Sequence, residues 1–178
     1  MGESTLDRVL RELGEIAGRL EQVDLEGLAD RILEADRVYV TGMGRSGLMA
    51  RAFAMRLMHL GLSVHVVGET TTPSIEEGDL LLCCTRYGRS GSLLHYIQKA
   101  HSANATAAVI TMDPGSPMAK ESEDVLLVPV GADDETRQPL GTLFEQFLLL
   151  TLDALVIVLM DKRGFTEREM ARLHTNLE

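Results

Sequence analysis

Five short apolar runs, at 37–41, 63–67, 79–85, 106–111 and 124–130, alternate with stretches of helical period, and this alternation constrains the fold more than any other feature of the chain. RVYVT and SVHVV flank a helical stretch from Ser46 to Leu60, and further helices near 90–103 and 117–122 separate the later runs. Strands that alternate with helices build a parallel sheet covered on both faces.

Two helices precede the first strand. From Ser4 to Leu20 the apolar positions Leu6, Val9, Leu10, Leu13, Ile16, Ala17 and Leu20 recur at helical spacing, with Ser4 placed as an N-cap, and a second short helix follows Asp24. After an interruption at 131–139, a long apolar helix is expected from about Leu140 to Lys162 and a short one from Thr166 onwards. The long helix invites a membrane reading. Glu145, Gln146 and Asp153 interrupt it, however, and a central Asp costs roughly 2.5–3.5 kcal/mol on insertion, so the expectation is a core or subunit-interface helix and no membrane. A chain of 178 residues suits a single domain, with N-terminal helices at about 4–35, a sheet core at about 37–130 and C-terminal helices at about 140–176. MGESTLDRVL carries no readable export signal, so a cytoplasmic protein is expected.

A net charge of −10 argues against nucleic acid as a partner, because neutralising phosphates needs a basic face. An anionic ligand must be captured locally by particular arginines, hydroxyls and backbone N–H groups. Cys83 and Cys84 are neighbours in a strand-like run, pointing to opposite faces, and are read as buried reduced thiols. Neither they nor the five scattered histidines form a metal-ligand pattern, so no metal is expected.

Two loops follow strands. Gly42-Met43-Gly44-Arg45-Ser46-Gly47 has the spacing of a dinucleotide-binding loop, with Glu69 near the end of the next strand. The chain is short for a complete dinucleotide fold with a substrate domain. The second loop, Thr85-Arg86-Tyr87-Gly88-Arg89-Ser90-Gly91-Ser92, crowds hydroxyls and two arginines at a helix start. Hydroxyls, helix N-terminal N–H groups and guanidinium forks suit a phosphate, with Ser46 completing the ring. A solvated turn with ordinary helix-capping residues remains the alternative.

Beyond single motifs, VYVTGMGRSGLMARAFAMRLMHLG, VHVVGETTTP, PLGTLFE, TLDALV and ARLHTNLE occur in one order across most of residues 38–178. In these segments the chain resembles the sugar isomerase (SIS) domain family, and within it members that isomerise a phosphorylated 3-hexulose. The resemblance implies a three-layer α/β/α sandwich with a five-stranded parallel, flavodoxin-like sheet. It also implies a homotetramer with active sites shared between subunits, and no cofactor. The implied reaction interconverts D-arabino-3-hexulose 6-phosphate and D-fructose 6-phosphate in the ribulose monophosphate pathway of formaldehyde assimilation. Ser46 matches the first phosphate-contacting loop, and Thr85, Tyr87 and Ser90 fall on the second. Where relatives usually carry Ser-Gly-Ser-Gly-Glu-Thr, this chain has Thr-Arg-Tyr-Gly-Arg-Ser, so a small acidic loop has become bulky and cationic.

Moving a carbonyl from C3 to C2 needs a base for the C2 proton, donors for an enediolate oxygen and reprotonation at C3. Glu145, near the N-terminal end of the apolar helix, is the first candidate for the base; a structural ion pair or cap is its other reading. His174 matches the family's late histidine, which the resemblance places in a neighbouring subunit's active site, and His59 is a further candidate at a helix end. Gly44 and Arg45 stand at the mouth of the first loop and Arg86 and Arg89 on the second, Arg45 reading either as a ligand contact or as an exposed arginine, while Thr71, in Thr70-Thr71-Thr72-Pro73, reads either as reaching the sugar or as part of a plain β-turn. His65, His95 and His101 have no motif around them and are read as structural. A sugar-phosphate sensor acting through a partner protein and a nucleotide-dependent dehydrogenase stand as competing functions.

Overall fold

The β-branched and leucine-rich runs pair as strands in a computed structural model that describes residues 2–19, 23–131 and 134–177. Leu20, Ala132, Asp133 and Glu178, which figure in the sequence patterns above, lie outside those residues. In chain order the elements are α1 Thr5–Ala17, α2 Leu25–Glu34, β1 Val38–Gly42, α3 Gly44–His59, β2 Val64–Val66, β3 Leu80–Cys84, α4 Gly91–Ser102, β4 Thr106–Thr111, α5 Pro117–Glu121, β5 Asp124–Leu127, α6 Thr142–Arg163 and α7 Glu167–Arg172. The sheet order is β2-β1-β3-β4-β5 with every pair parallel.

Alternating side chains split the sheet between two cores. On one face Val38, Val40, Leu80, Leu82, Cys84 and Ile110 pack against Phe53 and Leu57 of α3 and Phe144, Phe147 and Leu148 of α6. On the other face Tyr39, Leu81, Cys83 and Val109 meet Leu93 and Ile97 of α4 and Met118 of α5. The adjacent cysteines therefore point to opposite faces, both free and buried. Burial pushes both thiols up, Cys84 to about 12, so neither is a reactive thiolate near neutral pH.

Strand ends shift where backbone chemistry intervenes. The run expected over 124–130 stops pairing as a strand at Leu127, because Pro129 has no N–H to donate, although Val128 N still reaches Thr111 O at 2.9 Å. The long helix begins at Thr142 rather than Leu140. Leu140 takes a left-handed φ of 56° and Gly141 caps the helix, so neither belongs to it. Half of the most apolar stretch of α6 is buried in the core, the pattern of a core helix, while Leu150, Asp153 and Ile157 face outwards.

Between β1 and β3 the chain reverses its direction of travel across the sheet, from β2 on one side to β3 on the other. Open α/β sheets bind ligands at such a switch point, beyond the carboxyl ends of the strands. Gly42 and Cys84, the last residues of β1 and β3, are register partners there, which places the two loops side by side.

Candidate active site

A cleft of about 280 Å³ opens at that point, lined by Met43, Ser46, Cys84, Thr85, Arg86, Tyr87, Arg89 and Ser90. Glycine builds its first wall. A Cβ on Gly47 would stand 2.4 Å from the Gly42 carbonyl oxygen, so the first turn of α3 can lie on the end of β1 only because both positions lack side chains. This seat carries Ser46, 7 % exposed, into the cleft. The dinucleotide-like spacing thus serves close strand–helix packing.

The second wall is a pinned loop. Thr85 N donates to Ile110 O at 3.0 Å, and the Arg86 carbonyl accepts from Met112 N at 3.1 Å and from Thr111 Oγ1 at 2.9 Å. Gly88 has a φ of 58°, and a Cβ there would lie 2.1 Å from Ser116 Oγ, so no side chain fits. Ser90 caps α4, its Oγ accepting from Leu93 N at 3.4 Å. Ser90 therefore caps α4 and lines the cleft at once, so the start of this helix lies at the cleft wall.

Three charged side chains gather beside this loop around the start of α6. Arg86 Nη1 donates to Leu140 O at 3.0 Å, its guanidinium lies 4.7 Å from the Tyr87 ring centre, and its buried Nε has no acceptor among the described residues. Arg45 Nη1 donates to Thr142 Oγ1 at 2.9 Å, and Arg45 Nε stands 3.3 Å from Glu145 Oε2. That oxygen is buried and receives no hydrogen bond, so it has charge compensation and an open acceptor position. A Cβ on Gly141 would sit 3.0 Å from Glu145 Oε1 and 3.4 Å from Arg86 Nη1, so carboxylate and guanidinium flank the same glycine. Glu145, with its side chain 14 % exposed, thus has an ion-pair partner and a place at the edge of the candidate site.

The remaining expected residues divide between the cleft rim, where Arg89 stands, and positions outside its lining. Arg89, its side chain 70 % exposed, donates to Asp113 Oδ2 at 3.0 Å. Gly44 opens α3 at a φ of 57°, and Thr71 is exposed in the turn after β2, outside the cleft lining. His59 and His174 stack on each other, ring centres 5.0 Å apart at 25°. His174 Nδ1 stands 3.1 Å from Thr175 O, a carbonyl that can only accept, so Nε2 is the acceptor in the neutral ring. This pair occupies the far end of α3, roughly 20 Å from the cleft at 1.5 Å rise per residue. One chain does not bring the histidines to Glu145. His65 packs on Tyr39, His95 on Tyr96, and His101 pairs with Glu123 at 3.1 Å, all structural contacts.

Sequence reasoning missed Met43, Cys84, Leu140, Gly141 and Thr142 as site residues. The last three stand within PLGTLFE, where the signal was available but pointed only to Glu145. Among the described residues no group of three or more His, Cys, Asp or Glu side chains could hold a metal ion.

Fold and cleft together define a doubly wound α/β protein with a small crevice lined by hydroxyls and arginines at its switch point. The model of the SIS domain matches residues 31–157, and the chain belongs to that family. It is 40% identical over 176 residues to 3-hexulose-6-phosphate isomerase of Bacillus subtilis, covering 96% of this chain and 95% of that protein. Identity to the 3-hexulose-6-phosphate isomerase of Methylomonas aminofaciens is 42% over 163 residues, 86% of this chain and 89% of the relative. A solved structure from Methanococcus jannaschii, for which a molecular function of 3-hexulose-6-phosphate isomerase was inferred, superposes with a TM-score of 0.86 at 34% identity, covering 97% of this chain and 98% of that one.

Proposed function

We propose that this protein is a sugar-phosphate isomerase that interconverts D-arabino-3-hexulose 6-phosphate and D-fructose 6-phosphate, acting in the cytoplasm in the ribulose monophosphate pathway. The observation that carries this reading is the pairing of an anion cleft with a partly buried carboxylate across Gly141. End-to-end likeness to named hexulose-phosphate isomerases supports the choice of sugar.

In this reading the phosphate sits among Ser46, Thr85, Ser90 and the N–H groups that open α4, with Arg86 and Arg89 supplying positive charge. The sugar chain then extends towards Glu145. Glu145 takes the proton from C2, and the C2–H electrons form a C2–C3 double bond as the C3 carbonyl oxygen becomes an oxyanion. Arg45 and Arg86 stabilise that charge. A proton is then taken up at C3 by the C2–C3 double-bond electrons while the O2 proton passes to O3, which leaves the carbonyl at C2 and a hydroxyl at C3 with no net oxidation. His59 and His174, remote within one chain, would act on the hydroxyl protons in the cleft of a second subunit, as expected of a homotetramer with shared sites.

Turnover of freshly generated 3-hexulose 6-phosphate tests the reading, with fructose 6-phosphate followed through phosphoglucose isomerase and glucose-6-phosphate dehydrogenase. The expected result is a rate proportional to protein and insensitive to chelators. Binding of fructose 6-phosphate without turnover would instead support a sensor.

A further inference from the structure

Glu12 is a carboxylate only 5 % exposed on α1, whose neighbouring Arg11 and Glu15 face solvent. A buried charge must be compensated by hydrogen bonds or a counter-ion. Its donors all come from one distant segment: Thr136 Oγ1 at 2.7 Å and Gln138 Nε2 at 3.1 Å on Oε2, and Arg137 N at 3.4 Å on Oε1. These hydrogen bonds hold the Glu12 carboxyl below its usual range. A second clamp follows on the same side, where Arg19 Nη1 donates to Asp134 at 2.9 Å and to Pro129 O at 3.3 Å.

The clamped segment runs directly into the candidate site. Pro139 O accepts from Thr142 N at 3.2 Å and from Thr142 Oγ1 at 2.7 Å, which closes a tight turn. Within that turn Leu140 holds its φ of 56°, a conformation costing a non-glycine residue roughly 1–2 kcal/mol, and it presents its carbonyl to Arg86. Such a conformation persists only where its surroundings over-determine it. In the groove of about 650 Å³ between α1 and this segment, Arg8 and Arg11 are bound to Glu3, at 3.2 and 2.8 Å.

We propose that Glu12 is a positioning residue of the active site: with Arg19 it straps residues 134–141 to α1, and so sets the Leu140 carbonyl that holds Arg86 in the cleft. This inference rests on the isomerase reading above. Glu12 touches no substrate, and its effect passes through Arg86.

A double-mutant cycle separates this role from general stability. Glu12→Gln keeps the shape but turns an amide donor towards the donors of Thr136 and Gln138. KM for 3-hexulose 6-phosphate is expected to rise about five- to tenfold, as for loss of one ordinary hydrogen bond's net contribution, with kcat within about threefold. In the Arg86→Ala background the same substitution is expected to change KM less than about twofold. An unchanged KM in Glu12→Gln, or an equal rise in both backgrounds, overturns the proposal. Thr136→Val, which removes one donor without altering charge, carries the same cycle should Glu12→Gln fail to fold, with a KM rise of about two- to threefold. Should the wild-type protein not turn over, the isomerase reading fails by itself. The cycle is then read from dissociation constants for fructose 6-phosphate by calorimetry, with the same pattern expected.

Discussion

Glu145→Gln preserves the shape of the side chain while removing its basicity, so it isolates the proton-transfer role. Loss of about 10²–10⁴-fold in kcat is expected, with fructose 6-phosphate affinity retained within a few fold, read by coupled assay and calorimetry. A near-native kcat would remove Glu145 as the base and leave it as the partner of Arg45. The two loop arginines should differ in a direction set by burial. Arg89 is largely exposed and shared with Asp113, so solvent screening limits it and Arg89→Ala should raise KM about two- to fivefold. Arg86 is half-buried with an unpartnered Nε, and Arg86→Ala should raise KM by more than about tenfold. Comparable KM values for the two variants would refute that ranking. The cationic character of the loop was legible from Thr85–Ser92, but which arginine is anchored was not. Its acceptor, Leu140 O, lies 54 residues away and is a backbone atom with no residue signature.

At the scale of elements, the junction of β1 with α3 depends on atomic contact that a motif only hints at. Gly47→Ala places a methyl against the Gly42 carbonyl, which cannot move without disturbing its neighbour Cys84, so about 2–4 kcal/mol of stability should be lost. At roughly 2–4 °C per kcal/mol for a chain of this size, the expected fall in Tm is about 4–16 °C by differential scanning calorimetry. Gly14→Ala, in the open interior of α1 with nothing within 4 Å of the added methyl, is the control and should gain about 0.5–1 kcal/mol. Equal effects of the two substitutions would show that the glycine seat is not close-packed. The periodicity that located α6 from about Leu140 was correct in kind and two residues early. Apolar spacing cannot register a left-handed Leu140, whose conformation is held by the Pro139–Thr142 turn and by the hydrogen bond from Arg86.

For the whole molecule, the distance between Glu145 and the His59–His174 stack makes catalysis a property of an assembly in the proposed mechanism. Glu145→Gln and His174→Ala homo-oligomers, each expected to be nearly inactive, should recover part of the wild-type kcat when their subunits are exchanged by mild denaturation and renaturation. No recovery despite exchange, monitored by native mass spectrometry, would place each active site within one chain. The order of strands and helices and the two loops at the switch point were determined by the sequence alone, and Glu145 stood out in it as a candidate, because periodicity, glycine placement and short motifs are local properties of the chain. Tertiary structure decided how those parts meet: Arg86 on Leu140, Arg45 and Arg86 around Glu145, Glu12 on the 134–141 segment, and His174 on His59. Each joins positions far apart in the chain through a backbone carbonyl, a glycine gap, a ring face or a paired carboxylate, and such contacts come into being only when the packed layers bring them within a few ångströms.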